Sequence, residues 1–346
     1  MSNPPDTSAP LRIGIVGAGD IVRQRHLPNL RSLPGIHIQA VANASLGSAR
    51  SFCQQHAPEA TPTERWEDVV DNDDVDIVWI GAPPWLHHDA TDFALSCGKH
   101  VFCQARMAAT RAEAERMWEA SLRYPELVTA LCPPPHGMKH GLLVQKLLAE
   151  GAIGTPHQAL LHSLSAAWLD PDAPMHWRQN DSISGIQILT LGIYTEVLQR
   201  WLGPISEVSA RGRVVIPQRS QDTVHIPDFV HVQAAFANGL EASLTFSGVA
   251  AHAPTDRLWI FGSEGTLTYD FTTDEVALGL RNGPLEVQPI PQNLVREWTV
   301  EADFIQAVRH PAAPRPKPDF TEGTLYMRVV DAVNRSLATQ TTQSCI

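Results

Sequence analysis

Residues 11–22 constrain the fold of this chain more than any other stretch. Leu11-Arg12-Ile13-Gly14-Ile15-Val16 is an Ile/Val-rich run with little alternation, as a parallel strand covered on both faces requires. Gly17-Ala18-Gly19 follows, and a helical pattern opens at Asp20. Glycines at a strand-to-helix turn let backbone amides approach a diphosphate, and the helix N-terminus adds a favourable partial charge. Gly17, Gly19, Asp20 and Ile21 are therefore candidate nucleotide contacts. Val22 stands where such turns usually place a third small residue, and this loosens the motif.

The same period continues downstream. Strand patterns at 36–42, 75–81, 100–103 and 128–132 alternate with helical patterns at 20–33, 45–56, 66–71, 87–97 and 110–122. Pro28 is a weak point in the first helix, Ser45 can cap the second, and Thr110-Arg-Ala-Glu113 is a capping box. Strand and helix in alternation imply a doubly wound parallel sheet. Pro133-Pro134-Pro135 marks a domain boundary. Beyond it come helices at 141–150 and 186–202 and a strand at 156–165. Short β-rich runs follow at 205–214, 229–236, 240–248, 258–261, 267–271 and 276–280, with Asn238-Gly239 a strong hairpin turn. Closing helices fall near 298–309 and 321–338. The expected architecture is α/β: a disordered lead at 1–10, a dinucleotide-binding domain at 11–132, and an α+β domain at 133–346. That second domain carries a large, mostly antiparallel open sheet, and its closing helices are candidates to pack back on the first domain.

Bulk properties narrow the partners. The net charge is −11 with no basic block, which argues against nucleic acid or an anionic membrane. Five cysteines without a Cys-x-x-Cys pair argue against a disulfide framework or structural zinc, and fit reduced thiols in a cytoplasmic protein. No leader pattern and no run of about 18 apolar residues is present.

A set of matches in order carries a family resemblance: Gly17-Ala-Gly19 with His26-Leu-Pro28, Ala82-Pro83 with His87, and Gly98-Lys-His-Val-Phe102. Trp177-Arg178, Gly192-Ile-Tyr194 with Arg200-Trp-Leu-Gly203, and Gly262-Ser-Glu-Gly265 continue it. The chain resembles the Gfo/Idh/MocA oxidoreductases, named for glucose-fructose oxidoreductase and inositol dehydrogenase. The resemblance implies a Rossmann domain and a second domain whose open sheet often mediates homodimers or homotetramers. It implies hydride transfer between NAD or NADP and a sugar, cyclitol or related polar small molecule. It adds Ala82, Pro83, His87 and Gln104 to the cofactor contacts. Asn43 and Ser45 follow the second strand, where an acidic residue often grips the ribose. Without that carboxylate the preference tilts slightly to NADP.

The departures fall on the catalytic positions. Where the family usually reads Glu-Lys-Pro, this chain has Gln104-Ala105-Arg106, so the proton-bearing lysine is replaced by Ala105. The later helix reads Thr190-Leu-Gly192-Ile-Tyr194, without the usual aspartate but matching the tyrosine-bearing variant. Reduction of a carbonyl needs a proton donor at oxygen. Tyr194 is the candidate acid/base, its phenol pKa open to lowering by a nearby cation. Arg106 is the electrostatic aid, and Gln104 a hydrogen-bonder in place of Glu. Trp85, His136, Lys139, His176, Trp177 and Arg178 are candidate substrate contacts. His136 and His140 have helical metal spacing but no third ligand fixed by sequence, so no metal is assigned. The bland alternatives are a packing tyrosine for Tyr194 and an ion-paired arginine for Arg106. Two other readings stay open: a lyase or hydrolase working through transient internal redox, and a non-enzymatic nucleotide sensor.

Overall fold

The computed structural model describes residues 10–346, so the expected disordered lead lies, but for Pro10, outside the described residues. Two compact units divide the chain. The first comprises residues up to Pro133 and Thr299–Thr324, and the second comprises Pro134–Trp298 and Leu325–Ile346.

In the first unit, strands β1 (Leu11–Val16), β2 (Ile36–Ala42), β3 (Thr61–Thr63), β4 (Ile77–Ile80), β5 (His100–Cys103) and β6 (Thr129–Leu131) form one parallel sheet. Its order is β3-β2-β1-β4-β5-β6. The connecting helices are α1 (Leu27–Arg31), α2 (Leu46–His56), α3 (Trp66–Val70), α4 (His87–Ser96) and α5 (Arg111–Arg123). β4 is buried at all four positions, as a strand covered on both faces must be. The order reverses between β1 and β4, which places a binding crevice beyond the carboxyl ends of those strands. Ser45 caps α2 and Thr110 caps α5, each in a reciprocal capping box.

The first helix departs from expectation. The helix runs from Asp20 to Arg31, but Val22–His26 within it is π-helical, between α-helical Asp20-Ile21 and Leu27–Arg31. Pro28 sits in the first turn of the last of these segments. Val22 is fully buried, and a Cβ on Gly81 would fall 2.4 Å from its Cγ2. The bulk absent from one position is thus accommodated at another: Gly81, after β4, makes room for Val22.

In the second unit, α6 (Gly141–Ala149), β7 (Pro156–Leu164), α7 (Asp181–Ser184) and α8 (Leu191–Leu202) precede the β-rich part. That part contains β8 (Ile205–Arg213), β9 (Gln218–Arg219), β10 (Asp222–Thr223), β11 (Phe229–Phe236), β12 (Glu241–Ser247), β13 (Arg257–Gly262), β14 (Gly265–Asp270), β15 (Glu275–Leu280) and β16 (Glu286–Val287). The large sheet runs β16-β15-β14-β13-β7-β12-β11-β8, and β17 (Gln343–Ser344) completes it at the β8 edge. Every neighbouring pair is antiparallel except β12 with β7. Strict alternation in β11 buries Val230, Val232, Ala234 and Phe236. The hairpin at Asn238-Gly239 forms with Gly239 at φ 87°. The long helix expected from residue 186 begins only at Leu191, because Gly185 and Leu189 take positive φ and break the run.

The last part of the chain returns. Helix α9 (Val300–Arg309) belongs to the first unit, and the division falls inside α10 (Phe320–Thr339). Among the described residues no helix is long and apolar enough to cross a membrane.

Candidate functional site

The nucleotide candidates follow the carboxyl ends of neighbouring parallel strands. Gly17 and Gly19 follow β1, Asn43 and Ser45 follow β2, Ala82 and Pro83 follow β4, and Gln104 follows β5. The Val16 carbonyl accepts the amides of Gly81 (2.8 Å) and Ala82 (3.1 Å), drawing β1 and β4 together at the turn. Gly17 has φ 86°, and a Cβ there would lie 2.3 Å from the Ala82 nitrogen. Only glycine satisfies both the conformation and the approach. Gly19 differs, since a Cβ there would meet nothing within 4 Å. The Arg23 amide closes the first helical bond on the Gly19 carbonyl (3.0 Å). The amides of Asp20, Ile21 and Val22 therefore lie in the first turn, which offers no intrahelical acceptor. Open space at Gly19 beside these amides fits a diphosphate. Asp20 accepts a hydrogen bond from Arg23 (2.8 Å), and Ile21 is exposed.

At the adenosine side, Asn43 Oδ1 accepts the Ala44 amide (3.1 Å) and Ser45 Oγ accepts the Ser48 amide (3.2 Å). No carboxylate stands at position 43.

His87 does not face a ligand. It is 1% exposed, with Nε2 2.6 Å from the Ala82 carbonyl and Nδ1 3.1 Å from the Met107 carbonyl. It fastens the segment after β4 to the segment after β5. Burial, which penalises the imidazolium, lowers its pKa despite these carbonyls. The unfolded chain therefore binds a proton at His87 more readily than the folded one. The stability so contributed is complete above about pH 6.5 and declines as pH falls below it, by up to about 1.4 kcal/mol per pH unit. Thermal melts from pH 7.5 to 5.5 should fall steeply for the wild type and less steeply for His87→Gln. Equal slopes would refute the assignment.

Gln104 is likewise turned inward. Its Oε1 accepts the Ala105 amide (3.2 Å), so its amide nitrogen faces and donates to His26 Nε2. His26 Nδ1 then donates to Glu301 Oε1 (2.5 Å), and Asn29 donates to Glu301 Oε2 (3.0 Å). Gln104 thus belongs to a buried network and is not presented as a substrate hydrogen-bonder. Arg106 follows a cis peptide bond and is 8% exposed. Trp85 lies on the one-turn helix Pro84–Leu86 and is half exposed.

In the second unit, Thr190 stands at the N-cap of α8, which puts Tyr194 in the first turn, fully buried. Its Oη donates to Asp256 Oδ2 (2.6 Å). Ser163 Oγ donates to the same oxygen (2.7 Å) and contacts Thr190 Oγ1 (3.0 Å), while the Leu164 amide reaches Asp256 Oδ1 (3.1 Å). The expected lowering of the phenol pKa by a cation is overturned. Burial and the Asp256 carboxylate raise it well above the usual tyrosine range. Tyr194 keeps its proton and offers it to a carboxylate. The ring of His136 lies against it, with centroids 5.2 Å apart, and His136 is only partly buried.

The other substrate candidates make contacts of their own. Lys139 is exposed, and its carbonyl accepts the Arg296 amide (2.8 Å). His140 Nδ1 is committed to the Asp274 carbonyl. The His176 ring accepts the Arg178 amide (3.1 Å), and the Arg178 guanidinium stacks 4.3 Å from the Trp177 ring. Reading the sequence missed Asp256, His26 and Glu301. Asp256 lies just before β13 and outside the quoted motifs, and nothing local distinguishes it from other aspartates.

Residues 11–151 match the family described as "Oxidoreductase family, NAD-binding Rossmann fold". Residues 142–268 match "GFO/IDH/MocA C-terminal domain". The chain is 30% identical over 312 residues to a dTDP-3,4-didehydro-2,6-dideoxy-alpha-D-glucose 3-reductase of Streptomyces antibioticus, covering 86% of this chain and 89% of that one. It is 25% identical to a levoglucosan dehydrogenase of Pseudarthrobacter phenanthrenivorans, covering 95% and 96% of the two chains. A solved levoglucosan dehydrogenase in complex with NADH shares the fold, with TM-score 0.86, 22% identity, and 97% and 99% coverage.

Proposed function

The chain belongs to the Gfo/Idh/MocA oxidoreductase family, and on that premise we propose that it moves a hydride between NADP(H) and a ring carbon of a sugar or cyclitol. The observation that carries this is the strand-end cradle: Gly17 pressed on Ala82, Gly19 open, and the first-turn amides beyond it. A bound nicotinamide supplies the hydride acceptor or donor. Gly17, Gly19, Asp20 and Ile21 hold the diphosphate, Ala82 and Pro83 flank it, and Trp85 stands beside them. Asn43 and Ser45 meet the adenosine ribose. The absence of a carboxylate at position 43 removes repulsion from a 2′-phosphate, which favours NADP(H) over NAD(H).

Ala105 holds no proton, so the proton at the substrate oxygen is handled by Tyr194. The His136 ring packs against the Tyr194 ring and belongs to the same pocket in this reading. Trp177 and Arg178 contribute a stacked aromatic-cation wall. We further place the protein in the cytosol, since all five cysteines are free thiols. We assign homo-oligomer formation to the face of the large sheet around Leu160, His162, His231, Trp259 and Phe261. Those residues line a shallow concavity of about 460 Å³.

The test is to purify the protein without added nucleotide, denature it, and identify any released NAD(H) or NADP(H) by mass. The native protein is then titrated with each, and assayed on levoglucosan, myo-inositol and a panel of free and nucleotide-linked sugars. Binding of NADP(H) at least about 10-fold tighter than NAD(H), with net reduction of added NADP+, is the expected result. Turnover with no net change in added cofactor would move the protein to internal-redox chemistry. Failure to bind either nucleotide would overturn the reading.

A further inference from the structure

We propose that Asp256 is the positioning and proton-holding partner of Tyr194, so that the carboxylate missing from the helix at position 190 is supplied from β13's approach. This rests on the reading of Tyr194 as the acid/base. Three donors converge on Asp256: Tyr194 Oη and Ser163 Oγ on one oxygen, and the Leu164 amide on the other. Thr190, the residue that replaces the usual aspartate, contacts Ser163 at 3.0 Å. The network therefore runs from position 190 through Ser163 to Asp256 and on to the phenol.

The neighbouring acid cannot serve instead. Burial pushes the Asp270 carboxyl up, but Arg257, Thr255 and the Thr273 and Thr272 amides outweigh it and hold the group well below the usual range. Arg257 donates to Asp270 at 2.6 Å, so that carboxylate is committed to a cation. Asp256 takes part in no ion pair among the described residues. The titratable groups around the couple are His136 against the Tyr194 ring, Asp270 with Arg257, and His162, whose Nε2 lies 2.8 Å from the Thr255 carbonyl.

The arrangement defines a proton step that balances. In the oxidising direction the substrate O–H bond breaks and its proton joins Tyr194 Oη. The phenol's own O–H bond breaks, and that proton joins Asp256 Oδ2. The electron pair freed at the substrate oxygen forms the carbonyl as the carbinol C–H pair leaves as hydride, for which an oxidised nicotinamide, as in the proposed function, would be the acceptor. In the reducing direction each proton moves back. On the reading of Tyr194 as acid/base, Asp256 acts through it, holding the phenol in one orientation and receiving its proton.

Four variants test this, each checked by circular dichroism melts. Asp256→Asn should lower kcat at least about 100-fold while KM changes less than about 3-fold. It should also abolish the acidic limb of the kcat/KM profile, measured with the sugar turned over in the panel above. In the nucleotide-free protein, ultraviolet difference titration should show one tyrosine ionising at lower pH in Asp256→Asn than in wild type. The double variant with Tyr194→Phe should remove that signal. If Asp256→Asn fails to fold, Ser163→Ala decides. Losing one donor to the carboxylate should move the acidic limb to higher pH, and an unmoved limb overturns the proposal. A folded Asp256→Asn enzyme with wild-type kcat and pH profile overturns it as well. If Tyr194→Phe itself turns over normally, or no sugar is turned over, the underlying reading of the site fails, and this inference with it.

Discussion

Replacing Gly19 by leucine should abolish nucleotide binding and leave the fold intact. The reason is local: no heavy atom lies within 4 Å of a Cβ at that position, so a side chain enters open space and not the protein. That space is where a diphosphate must approach the first-turn amides. We expect the dissociation constant to weaken at least about 100-fold, some 3 kcal/mol, by isothermal titration. The melting temperature should move by less than about 2 °C. Gly17→Ala is the contrasting variant. Its Cβ would lie 2.3 Å from the Ala82 nitrogen, at a φ that alanine rarely takes, so it should lose both binding and stability. Unimpaired binding in Gly19→Leu would show that the diphosphate does not sit at this turn.

The second large effect concerns stability. Glu301→Ala should destabilise the first unit by about 3–5 kcal/mol in urea unfolding followed by tryptophan fluorescence. Glu301 is 1% exposed and accepts from His26 Nδ1 and the Asn29 amide. Truncation removes the acceptor of both donors, of which His26 is fully buried. The same helix face carries Phe304, whose ring meets Trp79 and Phe102 edge-on, with centroids at 5.9 and 5.5 Å, while those two stack on each other at 3.8 Å. Fluorescence from Trp79 therefore reports directly on this region. A loss below about 1 kcal/mol would mean that the carboxylate is dispensable and that α9 is held by its apolar contacts alone.

Much of the fold was legible because its signals are local. β4 is a continuous apolar run, Ser45 and Thr110 are caps with their partners three residues on, and Asn238-Gly239 demands a hairpin. The first helix was legible over most of its length, but its π-helical turn at Val22–His26 was not, because no residue pattern marks the wider turn. The start of α8 was misjudged because the backbone turns at Gly185 and Leu189 interrupt an apolar pattern that would otherwise continue. The bulky Val22 looked like a defect in the glycine turn, and only the packing of Gly81 against it shows how it is tolerated.

The candidate site divides along the same line. Backbone conformation and helix termini are properties of a few consecutive residues, so the nucleotide turn at Gly17 and Gly19 could be read directly. Family membership, too, was written in ordered motifs along the chain. What side chains meet depends on residues far apart in sequence. Tyr194 and Asp256 are 62 positions apart, and His26 and Glu301 are 275 apart. No local pattern encodes either pair. The sequence by itself determined the parallel sheet, the glycine turn at its edge and the loss of lysine at position 105. Tertiary structure alone decided that Gln104 and His87 turn inward, that α9 returns to the first unit, and that the Tyr194 proton is directed at a carboxylate. The physical reason is that a hydrogen bond or an ion pair is set by distance in space, which the fold creates only after the local elements have formed.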